Sequence, residues 1–233
     1  MPIKILKIIT IVLAIFAVLV GQNYDIKIWG INVGEATLEQ FYEKELSLTL
    51  KANDLINNFY PLELDINSKY DRKYSVTESN KLVKQGRDKY QYSSKQYNNV
   101  VIYDEKDSIE ININTHSFLS LLARIINSPI DAIDTKWFNF ENEGIIYKAR
   151  PLWNDTSTVH IGNEEYLCDH YRLDLKIVDE TKKLFNETDY FNELFFDINS
   201  IRQIWVETWQ KQRRLVKIEI KNSLINLNIV IKD

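Results

Sequence analysis

The densest run of side chains able to hold a metal or move a proton is His160, Cys168, Asp169 and His170. A zinc site needs three or four such groups within about 2.3 Å of one ion. Gly162-Asn163 reads as a tight hairpin turn, which pairs His160 with Glu165 and sets Cys168 opposite roughly Ser157. At ~3.3 Å per residue, His160 and Cys168 then stand about 10 Å apart along the sheet and on opposite faces. The four are expected as solvent-facing strand residues, and no metal or cofactor is expected.

Nucleophilic chemistry fares no better. Neither Ser120 nor Cys168 sits in a glycine-flanked elbow. The carboxylate pairs Asp104/Asp107 and Glu141/Glu143 fall at turns, where acidic residues commonly serve solubility and turn formation. A glycosidase pair is defined by spacing in three dimensions, so it stays as a third reading. Gly30 and Gly34 belong to a β turn and lack the lysine and hydroxyl of a phosphate loop. Lys211, Arg213 and Arg214, beside Trp205 and Trp209, have the ingredients of a stacking platform; the expected reading is a polar hairpin tip with the tryptophans on the sheet or in the core. Asn154-Asp155-Thr156 and Asn186-Glu187-Thr188 match the glycosylation pattern, which matters only in a eukaryotic secretory route. No catalytic residue is assigned.

Alternation with period two positions these residues along most of the chain. Tyr24, Ile26 and Ile28 alternate with polar neighbours up to Gly30; Leu46, Leu48 and Leu50 then keep the same parity. Asn53 to Tyr60 reads as a short helix or turn stopped by Pro61, and Asn80 to Asp88 as a polar, lysine-rich loop. Further strands are expected around Trp137 to Phe140, Ile145 to Ala149, Thr158 to Ile161, Tyr166 to Val178, Ile204 to Trp209, Leu215 to Lys221 and Leu224 to Ile231. One main helix is expected over about 115–127, capped by Asn114 or Thr115 and ended by Ser128-Pro129. Its Leu119, Leu122, Ala123 and Ile126 share a face. Asp179 to Asn192 holds either a second short helix or a long loop. The expected fold is mostly β: a single, highly curved antiparallel sheet of about ten strands, an open or half barrel, covered by that helix.

The first residues look like a leader. Lys4 and Lys7 precede Ile8 to Val20, thirteen residues without a charge. As a helix they span about 20 Å, short of a ~30 Å hydrocarbon core, which suits a signal peptide. Residues 1–21 are read as that leader, or as an uncleaved anchor, and 22–233 as one antiparallel β domain. Gln22 stands where a lipoprotein would need cysteine. The net charge of −4 becomes 27 basic against 33 acidic groups once Lys4 and Lys7 leave. That balance argues against nucleic acid and against docking on anionic lipid by charge alone. One cysteine permits no intrachain disulfide.

Three segments in order carry a resemblance. Tyr24-x-Ile26-x-Ile28-Trp29-Gly30-Ile31-x-Val33-Gly34-x-Ala36 opens the domain, Ser117-Phe118-Leu119-Ser120-Leu121-Leu122-Ala123-Arg124 forms the helix, and Ile204-Trp205-Val206 precedes Arg214-Leu215-Val216-Lys217-Ile218. Together they resemble the exported bacterial family called domain of unknown function 3108. Leu122 departs from the aromatic residue more usual there. The resemblance implies a periplasmic or outer-envelope protein with a curved sheet of the lipoprotein-carrier kind, and no assigned activity.

The expectation that follows is a non-enzymatic protein of the bacterial envelope. It would bind an apolar ligand or lipid in a trough on the concave face, lined by Trp29, Trp137, Phe138, Phe140, Trp205 and Trp209. The alternative is a scaffold for another envelope protein with a fully packed interior.

Overall fold

A computed structural model describes residues 20–41, 44–179, 184–185, 188–208 and 213–232. Lys4, Lys7, nearly all of the expected leader, Asn186, Trp209 and Lys211 lie outside the described residues. Within them, the strands are β1 (Val20–Ile28), β2 (Ile31–Phe41), β3 (Glu45–Ala52), β4 (Leu62–Tyr70), β5 (Val76–Gln85), β6 (Asp88–Tyr97), β7 (Val100–Tyr103) and β8 (Asp107–Glu110). They continue as β9 (Phe138–Asn142), β10 (Ile145–Ile161), β11 (Glu164–Asp179), β12 (Ile201–Glu207), β13 (Leu215–Lys221) and β14 (Asn226–Ile231). The helices are α1 (Asp54–Asn57), α2 (Phe118–Asn127), α3 (Ile130–Ile133) and α4 (Tyr190–Phe196).

All fourteen strands form one antiparallel sheet in the order β8-β7-β6-β5-β4-β3-β2-β1-β14-β13-β12-β11-β10-β9. Two meanders, β1 to β8 and β9 to β14, are thus joined where β1 pairs with β14. Fourteen twisted strands cannot stay flat, and this sheet rolls without closing into a barrel. Its free edges, β8 and β9, share no ladder. His116, just past β8, makes a single parallel bridge to Phe140 of β9. The mostly-β, curved, unclosed architecture agrees with the sequence expectation; the strand number is larger than expected.

The concave face is filled rather than open. α2 lies against β3, β4 and β9. Its Phe118, Leu119, Ser120, Leu121, Leu122, Ala123, Ile125 and Ile126 are buried, so the helix is apolar almost all round. It starts later than expected: Ser117, not Asn114 or Thr115, is the cap, with its hydroxyl accepting from the Ser120 N–H while the Ser120 hydroxyl accepts from the Ser117 N–H. It ends at Ser128 as expected. There Arg213 donates to the Ser128 carbonyl at 2.9 Å, to the Glu207 carbonyl at 2.7 Å and to the Asp169 carboxylate at 2.6 Å. A buried cation at a helix C-terminus stabilises its unpaired carbonyls. Arg213 is therefore a strut from sheet to helix and not part of a polar hairpin tip.

A second correction concerns the loop expected over Asn80 to Asp88. Val76–Gln85 is strand β5, and Lys81 on it is buried. Lys81 is the polar one of the three buried side chains of β5, beside Val76 and Val83.

Candidate functional site

Two regions along the rolled sheet's free edges gather polar chemistry: a buried seam and an open groove. The seam begins at the β9–β10 turn. Glu143 and Gly144 both adopt left-handed backbone, φ 52° and 91°, as a two-residue hairpin of the mirror-image type requires. Glutamate is uncommon there and pays about 1–2 kcal/mol for it. What holds it is its carboxylate. Lys81 Nζ lies 2.5 Å away and also contacts the Asp189 carboxylate, which sits at the N-cap of α4. The Tyr92 hydroxyl at 3.0 Å, the Thr188 hydroxyl at 3.1 Å and the Asn192 amide at 3.2 Å donate to the same Glu143. Glu141 beside it accepts from the Tyr103 hydroxyl and the Gly144 N–H. Burial raises the Glu141 pKa to about 7. Burial likewise keeps Tyr92 and Tyr103 well above the ordinary phenol value. The expectation of Glu141 and Glu143 as solvating turn residues is overturned by this burial.

The two carboxylates have a hydrolase's ingredients, one paired with a cation and one readily protonated. The space beside them holds about 30 Å³, and a second cavity beside Lys81 about 40 Å³. Each takes about one water. That geometry can fasten the sheet edges together; it does not seat a sugar or a peptide.

The groove lies near the opposite end of β9. Its walls are the β4–β5 turn (Arg72, Lys73, Tyr74), the segment before α2 (Ile113, Asn114, His116), Arg124 on α2, and Trp137 to Asn139 leading into β9. It is an open hollow of about 490 Å³, within the ~300–1,000 Å³ usual for small-molecule sites. The turn is built by Asp71, whose carboxylate accepts from the Lys73 and Ser75 N–H groups at 2.7 and 2.9 Å. That leaves Tyr74 in left-handed backbone, φ 63°, stacked on Tyr70.

Arg124 is the centre of the groove. Its guanidinium lies 4.3 Å from the Phe138 ring centroid and 6.0 Å from that of Tyr74. It donates to the Lys73 carbonyl at 3.0 Å and reaches His116 Nε2 at 3.2 Å, while its buried Nε has no hydrogen-bond partner. His116 Nδ1 faces the Asn139 carbonyl at 3.1 Å. A carbonyl can only accept and a guanidinium can only donate, so the imidazole is neutral with its proton on Nδ1. Burial lowers the His116 pKa to about 4, in agreement. Burial also lowers the Arg124 pKa from its ordinary value. A half-buried cation with an unmatched donor is stabilised by an anion placed beside it.

The six aromatics singled out in the sequence are scattered. Trp137 and Phe138 meet at the groove, Trp137 with the Arg150 guanidinium 4.5 Å from its ring. Phe140 is wholly buried against Tyr147 and Phe196. Trp205 is buried on β12, stacked 4.3 Å from His170 with Lys217 on it. Trp29 is exposed in the β1–β2 turn. Trp209 lies outside the described residues.

The register expected for the β10–β11 hairpin holds, with His160 beside Glu165 and Ser157 beside Cys168. Its exposure was misjudged, since Cys168, Asp169 and His170 are buried. Burial pushes the Cys168 thiol up to about 12, which removes it as a nucleophile. His170 is held by Asp155 at 3.1 Å and Gln203 at 2.8 Å. No cluster of three or more potential metal ligands occurs among the described residues.

Sequence reading missed Arg124, Tyr74 and His116. The signal was available: a lone arginine on an otherwise apolar helix, eight residues after a histidine.

No family model and no curated protein matches the chain. Among solved structures it is similar to a β-barrel-like protein of domain of unknown function DUF1849 from Brucella abortus. The TM-score is 0.55 and the identity 6%, over 93% of this chain and 97% of that one. Identity that low speaks for the fold alone.

Proposed function

We propose that this is a non-enzymatic protein of the bacterial envelope that binds an anionic amphiphile in the Arg124 groove. A carboxylate or phosphate head would pair with the half-buried Arg124 guanidinium, and its apolar body would lie on Trp137, Phe138 and Ile113. The observation that carries the reading is that half-buried guanidinium, lining a hollow of about 490 Å³ beside Tyr74, Trp137 and Phe138. A larger hollow of about 600 Å³ on the outer face of β2 and β3 is lined by Glu35, Glu39, Thr37, Thr49 and Lys51, with no aromatic wall. Placement in the envelope rests on the charge and apolar pattern of residues 4–20, and mass determination of the chain recovered from an envelope fraction would check whether the leader is cut.

The packed concave face favours the second reading, a scaffold without a small ligand. Titration with dodecanoate, dodecyl maltoside and dodecyltrimethylammonium, followed by tryptophan fluorescence, separates the two. The binding reading expects the carboxylate to bind best and Arg124→Gln to weaken it about tenfold or more. Equal binding of all three amphiphiles, or no effect of Arg124→Gln, would leave the scaffold.

A further inference from the structure

We infer that one end of the rolled sheet, at the tips bearing Trp29, Phe59 and Leu224, docks on the surface of a lipid bilayer. The groove lies at the other end, so this inference does not rest on it.

Antiparallel neighbours put alternate connections at opposite ends. The β1–β2, β3–β4, β5–β6, β7–β8, β9–β10, β11–β12 and β13–β14 connections therefore share one end, and the first three, the sixth and the seventh lie side by side. Hydrogen bonds stitch them into a rim. Trp29 N–H donates to the Asn226 carbonyl at 3.0 Å, Asn53 N–H to that of Val33 at 2.9 Å, and Gly86 N–H to that of Pro61 at 2.7 Å. Asn222 donates to Asp197 at 3.4 Å, and Tyr190 N–H to the Gln85 side chain at 3.0 Å. The Tyr60 and Tyr190 hydroxyls, 3.3 Å apart, join the β3–β4 connection to the segment opening α4.

This rim holds bulky apolar side chains out in water. Phe59 is 85% exposed, Leu224 74%, Leu55 71%, and Trp29, Ile31 and Ile198 about as much. Monomeric proteins seldom gather so many on one surface without a purpose. Residues 29–31, 53–61, 197–201 and 222–225, which form four of the tips, contain no lysine or arginine. Of their two acids, Asp54 opens α1 and Asp197 is engaged by Asn199 and Asn222. The remaining residues are mainly asparagine, serine, tyrosine and proline.

The occupant follows from shape and charge. Protruding tips separated by polar residues would need a separate hollow for each in a rigid protein partner; a fluid bilayer interface gives way to each of them. Tryptophan and tyrosine suit the boundary between headgroup and acyl chain, with apolar rings and polar edges. Arg87 in the β5–β6 turn is an exposed cation at the same end; the four tips themselves carry none, so they would insert by apolar area and not by attraction to anionic lipid. β1 enters from the opposite end, some 30 Å away at ~3.3 Å per residue, so the chain before Val20 joins the domain far from this rim.

The test uses the full chain with single cysteines, since buried Cys168 stays unlabelled. Phe59→Cys and Leu224→Cys, and Tyr97→Cys in the β6–β7 turn at the other end, each carry an environment-sensitive fluorophore. Vesicles of phosphatidylcholine, with and without phosphatidylglycerol, are added in low and high salt. The apolar stretch Ile8 to Val20 can itself bring the chain to vesicles, and the labels report which end then touches lipid. The inference expects blue-shifted emission, quenched by brominated acyl chains, at positions 59 and 224 in both vesicle types and at both salt levels, with position 97 unchanged. It also expects the exposed triple variant Trp29→Ser/Phe59→Ser/Leu224→Ser to abolish the response of an Ile198→Cys label. Silence at positions 59 and 224, response at 97 in their place, a shift without vesicles, or an unaltered Ile198→Cys response in the triple variant would each overturn it.

Discussion

Where β1 meets β14, the two meanders are joined by a continuous ladder from Tyr24 beside Ile231 to Ile28 beside Leu227, above buried Tyr24, Ile26, Leu227, Ile229 and Ile231. Where β8 approaches β9, the backbone supplies one bridge, and side chains do the rest: Lys81 with Glu143 and Asp189, and Tyr103 with Glu141. A small apolar cluster of Tyr92, Val101, Tyr103, Ile109 and Ile111 flanks them, with Phe185 stacked 4.5 Å from Tyr92. Apolar contact is tolerant of register; a buried cation between two carboxylates accepts one arrangement. The ladder supplies cohesion, and the charged seam selects how far the sheet rolls.

Removing one partner breaks that comparison most sharply. Lys81→Met leaves Glu143 and Asp189 buried without their cation and is expected to cost about 3–5 kcal/mol in urea unfolding. Leu119→Ala on α2, a wholly buried apolar side chain, is expected to cost about 2–5 kcal/mol through its cavity. The two losses differ in how they are repaired. Adding Glu143→Gln and Asp189→Asn to Lys81→Met should restore much of the first, since neutral groups no longer need the lysine. A loss below about 1 kcal/mol for Lys81→Met alone would show that the seam holds nothing.

The same contrast explains what was legible in the sequence. On the ladder side each inward position is apolar, so Leu46, Leu48, Leu50, Val216, Ile218 and Ile220 announce their strands. β5 sends Ser79, Lys81 and Val83 toward the seam, and no alternation survives to be read. Lys81 becomes explicable only beside Glu143, 62 residues away. Glu141 and Glu143 looked like turn solvent for the same reason. The hairpin register at Gly162-Asn163 could be deduced locally, but the buried Asp169 carboxylate finds its partner in Arg213, supplied from beyond β12. Of the groove, Trp137 and Phe138 are legible as aromatics, but the sequence assigns them to a trough on the concave face with four others that lie elsewhere or outside the described residues. Arg124 draws its meaning from a turn at residues 72–74 that no local pattern connects to α2.

Acidity separates seam from groove in opposite directions. Glu141 holds its proton to about pH 7, against an ordinary 4.5, because it is buried. Its contribution is full below pH 4.5 and is lost as pH rises to about 7. His116 is held neutral down to about pH 4, against an ordinary 6.5. Its contribution is full above pH 6.5 and is lost as pH falls toward 4. Between about pH 4.5 and 6.5 the two slopes oppose each other, each on the order of 3 kcal/mol over its whole window. Wild-type stability is therefore expected to change little across that interval. Glu141→Gln should expose the histidine slope, losing stability on acidification, and His116→Gln should expose the carboxyl slope, gaining it. Urea midpoints measured at half-unit pH steps check both; slopes of the same sign in the two variants would refute the assignment.

The smallest effect belongs to the charge pair just outside both regions. Arg150 contacts Asp174 across the β10–β11 ladder at 2.8 Å and lies over Trp137 at the groove's edge, with both charged side chains partly open to water. Water screens such a pair, and Arg172 also bonds Asp174, so the carboxylate keeps a partner when Arg150 is removed. Arg150→Gln is expected to change unfolding stability by about 1 kcal/mol or less. Yet Trp137 loses its cation, so its fluorescence should respond differently to dodecanoate while the affinity set by Arg124 stays within about threefold. A stability loss as large as that of Lys81→Met would mean the β10–β11 hairpin is fastened by charge as the seam is, and the distinction between ladder and seam would fail.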